Sequence, residues 1–288
     1  MGEKVAIWTQ LAGLPLKQYY LDVDGIRTRV MEAGEGEQTL IFVHGTGGHL
    51  EAYSRNFAGL AEEFRVIAYD MVGHGFSDKP DRPYTIDYLS DHLVGLVKAL
   101  HLQKVSLSGE SLGGWVAAWT AAYHPELIDK LILNTPGNIT NKPQVMEQVK
   151  NSTIKAVEEA TYDNVRARLE WLFYDKSFVT DELVSIRYKI YKQPEFKRAV
   201  YHIVAVQDWE IRKNYVWSPE WCNRITCPTL LLWTDNDPTG TVDEAFILKE
   251  WIPGSLLYVI NDSGHWPQWE SMEEFNRVHT AFVKEGGF

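Results

Sequence analysis

One segment, from Lys104 to Ala122, constrains the fold of this chain more than any other. An apolar run at 104–108 is followed by Gly-Glu-Ser-Leu-Gly-Gly at 109–114 and an alanine-rich stretch at 115–122, which predicts a strand, a sharp turn and a helix. Glycines on both sides of Ser111 allow a turn so tight that the serine side chain projects from it. The helix behind it points free N–H groups at the same place. Ser111 is therefore the candidate nucleophile, and a simple polar loop is the alternative.

Two carboxylates follow a later strand. Residues 229–234 form an apolar run that predicts a buried strand, and it leads into a turn at 235–240. Behind a strand-turn-helix nucleophile, the order along the chain is serine, then acid, then histidine. We predict that Asp237 is the acid of a catalytic triad. Asp235 is the alternative, and both carboxylates could instead simply cap the turn.

A histidine follows the next predicted strand. Residues 255–260 form that strand, and the loop behind it carries His265. A base must sit in such a loop to reach a serine at the same edge of the sheet, so His265 is the candidate general base. We expect surface or structural roles for the histidines without this context, namely His49, His74, His92, His101, His124, His202 and His279.

Strands and helices alternate up to about Thr135, which predicts a mostly parallel sheet with helices on both faces. The expected elements are an opening hairpin (19–22 and 28–33), strands at 39–43, 65–70 and 130–134, and a helix at 88–100. From 137 to 217 the pattern is helical and rich in aromatic residues, with hardly any strand signal. We predict that this segment is a lid that roofs an apolar pocket above Ser111, although most of its aromatics would simply pack it onto the core. The predicted domains are a core at 1–136, the lid at 137–217 and the rest of the core at 218–288.

Composition narrows the class of protein. The 288 residues are 45% hydrophobic and 23% charged, as in one ordinary globular domain. A net charge of −11 without a basic stripe argues against nucleic acid and anionic membranes, and local cations would have to attract an anionic substrate. Cys222 and Cys227 lack the partners of a zinc site or a disulfide framework. Residues 1–16 lack a leader pattern and no apolar run could span a membrane, so we expect a cytoplasmic protein.

The sequence as a whole resembles the α/β-hydrolase superfamily. The resemblance implies the α/β-hydrolase fold, a mostly parallel sheet flanked by helices with a helical lid inserted between core strands. It also implies two oxyanion donors: the N–H of Leu112 and one from the glycine-rich loop at 44–49, where Thr46 or Gly47 would supply it. A phosphate loop is the competing interpretation, but no Gly-Lys-Ser/Thr follows.

Within the superfamily the chain is similar to the meta-cleavage-product hydrolases, which cut carbon–carbon bonds in 2-hydroxy-6-oxohexa-2,4-dienoates during aromatic breakdown. The most specific match is Gly-His-Trp-Pro-Gln-Trp-Glu at 264–270 with 274–277 behind it. A second match, 233–237, ends on the aspartate that aligns with the family's triad acid. The third lies in the predicted lid, at 173–188.

This third match includes Arg187, which corresponds to the lid arginine that faces the carboxylate and 2-keto end of the substrate. Trp266 corresponds to the tryptophan beside it. A guanidinium on an apolar helix is costly to bury unless a carboxylate pairs with it, which favours an anionic dienoate with an apolar C6 substituent. A surface arginine bonded to Asp181 or Glu182 is the alternative.

Two features depart from the family pattern. The family commonly has Asn before the nucleophile, where this chain has Glu110, and its glycine-rich loop is usually longer. Glu110 would place a negative charge in the substrate-binding site. Unless it points away or pairs with a basic neighbour, it favours a different polar group on the substrate or a neutral ester.

The resemblance implies a two-stage reaction that needs no metal or organic cofactor. The dienol loses its hydroxyl proton and is protonated at C5, and Ser111 then attacks the C6 ketone with His265 as base and Asp237 orienting it. A carboxylesterase or lactonase with the same triad is one alternative, and a hydrolase-fold binding protein is another. Arg187 distinguishes them, because only an anionic substrate end needs it. Homodimers are common in the family, so the resemblance implies a homodimer or higher homo-oligomer.

Overall fold

The computed structural model describes residues 6–288. Residues 1–5, which begin the predicted core range 1–136 and the N-terminal stretch 1–16, lie outside the described part. Within it, the β-strands are Leu16–Val23 (β1), Ile26–Ala33 (β2), Thr39–Val43 (β3), Arg65–Tyr69 (β4), Val105–Glu110 (β5), Ile128–Asn134 (β6), Thr229–Thr234 (β7) and Leu256–Ile260 (β8).

These strands form one sheet in the order β1-β2-β4-β3-β5-β6-β7-β8. Strands β3 to β8 pair in parallel, whereas β2 pairs antiparallel with both β1 and β4 at one side of the sheet. The predicted α/β-hydrolase fold with a mostly parallel sheet is confirmed. The predicted strands 39–43 and 229–234 have the observed bounds, whereas the strand predicted at 104–108 extends to Glu110. That extension brings Glu110 to the sheet edge beside the predicted nucleophile.

Helices cover the sheet and connect its strands. They are Ile7–Leu11 (α1), Phe57–Leu60 (α2), Ile86–Ala99 (α3), Leu112–Tyr123 (α4), Pro143–Glu158 (α5), Tyr162–Glu170 (α6), Asp181–Tyr191 (α7), Pro194–Ile203 (α8), Trp209–Arg212 (α9), Pro219–Cys222 (α10), Val242–Trp251 (α11), Pro267–Glu270 (α12) and Met272–Glu285 (α13). Every residue of β3, β5 and β7 is buried, since helices cover both faces at the centre of the sheet.

Helix α4 lies unusually close to the sheet. A Cβ atom added at Gly113 would lie 2.0 Å from the carbonyl oxygen of Val43 in β3. Only glycine allows this approach, so the glycine after the predicted nucleophile is needed for packing as well as for the turn. The helix therefore begins directly at the carboxyl edge of the sheet.

Helices α5 to α9 all lie between β6 and β7, in residues 137–217, which we call the helical segment. The structure assigns no strand to these residues. The domain boundaries and the lid function stay predictions. No helix within residues 6–288 is long and apolar enough to span a membrane.

Candidate active site

Ser111 lies between the end of β5 and the first turn of α4. Its φ of 55° and ψ of −120° lie in a backbone region that residues other than glycine rarely adopt. Backbone hydrogen bonds hold it there: its N–H donates to Asn134 at 3.1 Å, and its carbonyl accepts from Trp115 and Gly137 at 3.2 and 3.1 Å. The hydroxyl makes no hydrogen bond to the described residues. The turn therefore presents Ser111 to the cavity that it lines.

Asp237 lies against His265. Both carboxylate oxygens are 2.9 Å from Nδ1 of the imidazole, and both side chains are almost fully buried. Thr239 fixes the carboxylate, because its N–H and hydroxyl donate to Oδ1 at 2.7 and 2.8 Å. Asp235 is exposed and accepts a hydrogen bond from the Asn236 side chain. The structure thus brings Asp237, and not Asp235, to the imidazole.

Glu110 contacts the other ring nitrogen of His265. Its Oε1 lies 3.1 Å from Nε2 of His265, and each side chain is 2% exposed. Glu110 thus pairs with a basic neighbour, which removes the reason to favour a neutral ester. Burial lowers the pKa of His265, but the charges and hydrogen bonds of Asp237 and Glu110 outweigh it and raise this pKa to about 10.

The two predicted oxyanion elements lie on one cavity. Leu112 is the first residue of α4 and lines the cavity together with Thr46 of the glycine-rich loop. Gly47 has a φ of +66°, and its carbonyl accepts a hydrogen bond from Tyr191 at 3.0 Å. Backbone N–H groups at Leu112 and at Thr46 or Gly47 stay the predicted donors.

Arg187 is buried beside Trp266. The alternative of a surface arginine bonded to Asp181 or Glu182 does not match the structure. The arginine is 1% exposed, and its guanidinium carbon lies 5.0 Å from the centre of the Trp266 ring. Asp181 instead pairs with Arg166, and Glu182 accepts from the Ile7 N–H. Nη2 of Arg187 has no hydrogen-bond partner within residues 6–288. A buried cation with an unused donor is a site for an anion.

The neighbour that holds Arg187 is His49, for which the sequence predicted only a surface or structural role. Its Nε2 lies 3.5 Å from Nε of Arg187, and its Nδ1 lies 2.9 Å from Oε2 of Glu51. Glu51 pairs in turn with Arg29, which lies 3.4 Å from Asp70. Burial holds the pKa of His49 below its usual value, so a neutral ring that donates to Glu51 can accept from Arg187. This chain of contacts fixes the orientation of Arg187.

Two further buried arginines line the cavity, and neither was predicted. Arg212 is satisfied, since Asn141 and the carbonyls of Val206 and Asn138 accept from it. Arg168 has only a 3.4 Å contact to the Thr153 hydroxyl, and its Nη1 is unpartnered in the described chain. Burial lowers the pKa of Arg168 to about 10, which leaves it charged at neutral pH.

The fold and the serine turn at the carboxyl edge of the sheet define the class of this protein, which is that of the α/β hydrolases. Residues 38–271 match the family described as alpha/beta hydrolase fold. A 2-hydroxy-6-oxo-6-(2'-aminophenyl)hexa-2,4-dienoic acid hydrolase of Metapseudomonas resinovorans is 31% identical, over 92% of this chain and 90% of that protein. A 2-hydroxy-6-oxo-6-phenylhexa-2,4-dienoate hydrolase of Comamonas testosteroni is also 31% identical, over 88% and 90%.

Solved structures agree with these relatives. A meta-cleavage product hydrolase of Pseudomonas fluorescens IP01, determined in complex with acetates, superposes with a TM-score of 0.82 at 29% identity, over 93% of this chain and 98% of that one. This chain belongs to the α/β hydrolase fold family and, within it, to the meta-cleavage-product hydrolases. The resemblance inferred from the histidine loop, residues 233–237 and the match at 173–188 is confirmed.

Proposed function

We propose that this protein cleaves the C5–C6 bond of a 2-hydroxy-6-oxohexa-2,4-dienoate with Ser111, His265 and Asp237 as its triad. One observation carries the proposal: Arg187, buried and with an unused donor, lines the same cavity as Ser111 and His265. An ester or lactone without a carboxylate would leave that cation unpaired. The carboxylate and 2-oxygen of a dienoate match its planar, forked donors.

The reaction has two stages. Protonation of the dienolate at C5 gives a ketone at C2, and the electrons of the C5–C6 bond can then delocalise into that carbonyl when the bond breaks. Arg187 and Trp266 hold the carboxylate end during this stage. Ser111 next attacks the C6 ketone as His265 takes its proton, and the oxyanion is bound by the N–H of Leu112 and a donor of the 44–49 loop. Cleavage releases a 2-hydroxypenta-2,4-dienoate, and water then releases the acyl group as a carboxylic acid.

The helical segment serves as a lid in this proposal, with the core at 6–136 and 218–288 within the described part. It supplies Val145, Val149, Leu172, Arg168 and Arg187 to the cavity wall. An apolar wall with two unpaired cations suits a substrate with an apolar C6 substituent and an anionic end.

The decisive experiment follows the absorbance of a yellow 6-aryl dienolate with purified protein and compares it with p-nitrophenyl acetate in the same buffer. We expect fast bleaching and much slower ester hydrolysis. Ser111→Ala should stop product formation on both substrates, whereas Ser185→Ala, an exposed serine of α7, should leave both rates unchanged. Good ester hydrolysis without bleaching would refute carbon–carbon cleavage and support a carboxylesterase or lactonase.

A homodimer or higher homo-oligomer is also part of the proposal, as the resemblance implies, and a cytoplasmic location stays an expectation from the sequence. A dimer would have twice the chain mass of 33.0 kDa. Light scattering at micromolar protein concentration measures this directly, and a mass of one chain would contradict it.

A further inference from the structure

The imidazole of His265 lies between two buried carboxylates. Asp237 contacts Nδ1 at 2.9 Å and Glu110 contacts Nε2 at 3.1 Å. A neutral ring can donate from only one nitrogen, so two ionised carboxylates are satisfied together only by an imidazolium. With Nε2–H donating to Glu110, that nitrogen has no lone pair for the Ser111 proton. The Ser111 hydroxyl, correspondingly, has no hydrogen-bond partner among residues 6–288.

Besides Asp237 and Glu110, other charged side chains lie near His265, but they do not hold the proton on its ring. Arg168, Arg187 and Arg212 line the same cavity from the helical segment and favour loss of the imidazole proton, and Glu270 bonds the Gly264 N–H behind the ring. The two carboxylates in direct contact therefore decide the protonation state of His265. Asp237 is the predicted triad acid, whereas Glu110 stands where the family commonly has Asn.

We propose that Glu110 is a positioning residue that keeps His265 protonated in the resting enzyme, so that the first chemical step is proton delivery to the substrate and not activation of Ser111. This inference rests on the proposed function and deepens its first stage by naming the residue that keeps the proton on His265. It explains how a carboxylate can stand next to the nucleophile of an enzyme for anionic substrates: its charge is paired with the imidazolium.

The proton and electron balance of this step closes. The Nε2–H bond of His265 breaks and its electron pair stays on Nε2, while an electron pair of the dienolate forms the C5–H bond and the C2 oxygen becomes a carbonyl. Nε2, now with a free lone pair, accepts the Ser111 proton as Oγ attacks C6. When the C5–C6 bond breaks, its electron pair moves into the C2 carbonyl, and the C2 oxygen takes the proton from Nε2. Nε2 then takes a proton from the water that attacks the acyl group and gives it to Oγ of Ser111 as the ester bond breaks. Ionisation of the carboxylic acid product finally returns a proton to His265.

The order has a chemical advantage. Serine attack before ketonisation would be unproductive, because the C5–C6 bond can break only after C5 carries its proton and the C2 carbonyl can accept the electrons. An imidazolium held by Glu110 prevents that early attack. The substrate itself, by taking the proton, converts His265 into the base that Ser111 needs.

The test measures the titration of His265 by NMR of the 15N-labelled full chain, with the His265→Gln variant as assignment reference. We expect the wild-type ring to stay protonated well above pH 7, and Glu110→Gln to lower the titration midpoint by about 1–3 pH units, the usual effect of one adjacent charge. The matched control is Glu244→Gln, which removes a buried carboxylate without contact to His265 and should not move the midpoint. An ordinary midpoint in the wild type, or equal midpoints in both variants, would overturn the proposal. The wild-type titration midpoint of His265 tests the proposal even if Glu110→Gln does not fold.

Kinetics provide a second, independent readout. Hydrolysis of p-nitrophenyl acetate needs a neutral His265, so its rate should rise with pH at the high midpoint in the wild type and at a midpoint about 1–3 pH units lower in Glu110→Gln. In a Ser111→Ala background, which reports ketonisation alone, adding Glu110→Gln should lower the pH above which dienolate bleaching slows by the same amount. An unchanged ester profile would contradict the role of Glu110. The NMR and ester measurements use no dienoate, so a lack of bleaching in every variant would refute only the proposed substrate and its protonation.

Discussion

At the scale of single residues, backbone strain at Ser111 connects the turn to its chemistry. A φ of 55° with ψ −120° costs a serine about 1–3 kcal/mol, and the packing of β5 against α4 has to compensate for it. The strained conformation is what makes the side chain point from the turn into the cavity. Stability and function therefore conflict at this position.

Replacement of Ser111 measures that strain. We expect Ser111→Gly to have a free energy of unfolding about 1–3 kcal/mol higher than that of Ser111→Ala, because glycine adopts this conformation readily. Urea denaturation gives both values. Thr241 is the control, because it is a helix N-cap with an ordinary φ of −76°. The difference in stability between Thr241→Gly and Thr241→Ala gives the usual preference for glycine over alanine at an unstrained N-cap. A difference at Ser111 no larger than at Thr241 would mean that the turn is unstrained.

The two aspartates of the 235–240 turn give a second test at this scale. Asp237→Asn should lower kcat by about 10⁴-fold, because the carboxylate that holds the His265 tautomer is lost. Asp235→Asn should leave the rate within about twofold, since Asp235 is exposed and lies away from the ring. Steady-state kinetics on the dienoate and on p-nitrophenyl acetate compare the two. The reverse order would move the acid to Asp235.

At the scale of elements, the arginines of the helical segment occupy positions that an apolar helix face normally fills. Arg168 lies three residues after Val165 in α6, and Arg187 three residues after Val184 in α7, and all four are buried. A cation at such a position interrupts the apolar face of the helix, and its burial does not stabilise the helix itself. This signal is readable in the sequence and could have pointed to Arg168, which the sequence analysis missed; Arg187 was found through the family resemblance.

Neutral replacements test these positions. Arg187→Met and Arg168→Met should each raise KM for the dienoate by about 10–100-fold, as expected for loss of a charge-assisted hydrogen bond, and leave p-nitrophenyl acetate nearly unaffected. Their thermal midpoints should not fall below that of the wild type, because an unpaired buried charge costs stability. Arg198→Met, an exposed arginine of α8, is the control and should change neither. Equal losses on both substrates would indicate a structural role.

At the scale of the whole molecule, parallel pairing assembles the site from distant parts of the chain. The loops behind β3, β5, β7 and β8 all lie at the carboxyl edge of the sheet, so Thr46, Ser111, Asp237 and His265 meet although they are far apart in sequence. The helical segment covers the same edge. The site is therefore coupled to the stability of the entire fold.

That coupling makes stability depend on pH. The folded-state pKa of His265 is about 10 and its usual value is 6.5, so the stability from its two carboxylates is fully present below pH 6.5 and lost as pH rises through about 10. We expect the free energy of unfolding to fall more over this range in the wild type than in His265→Gln. His279→Gln is the control, because burial lowers the pKa of His279 to about 3 and the ring stays neutral throughout. Parallel pH profiles of the wild type and His265→Gln would exclude a raised pKa.

The sequence by itself determined the parallel sheet, the serine turn and the order of serine, acid and histidine, because these depend on local periodicity and on glycines at close-packed turns. It also pointed to Arg187, through the resemblance of residues 173–188 to the family. Only the tertiary structure shows that Asp237, and not Asp235, lies against the imidazole of His265, since both aspartates follow the same strand. It alone paired Glu110 with His265 and His49 with Arg187, because such contacts join loops that are far apart in the chain, and the distance between two loops is a property of the packed sheet.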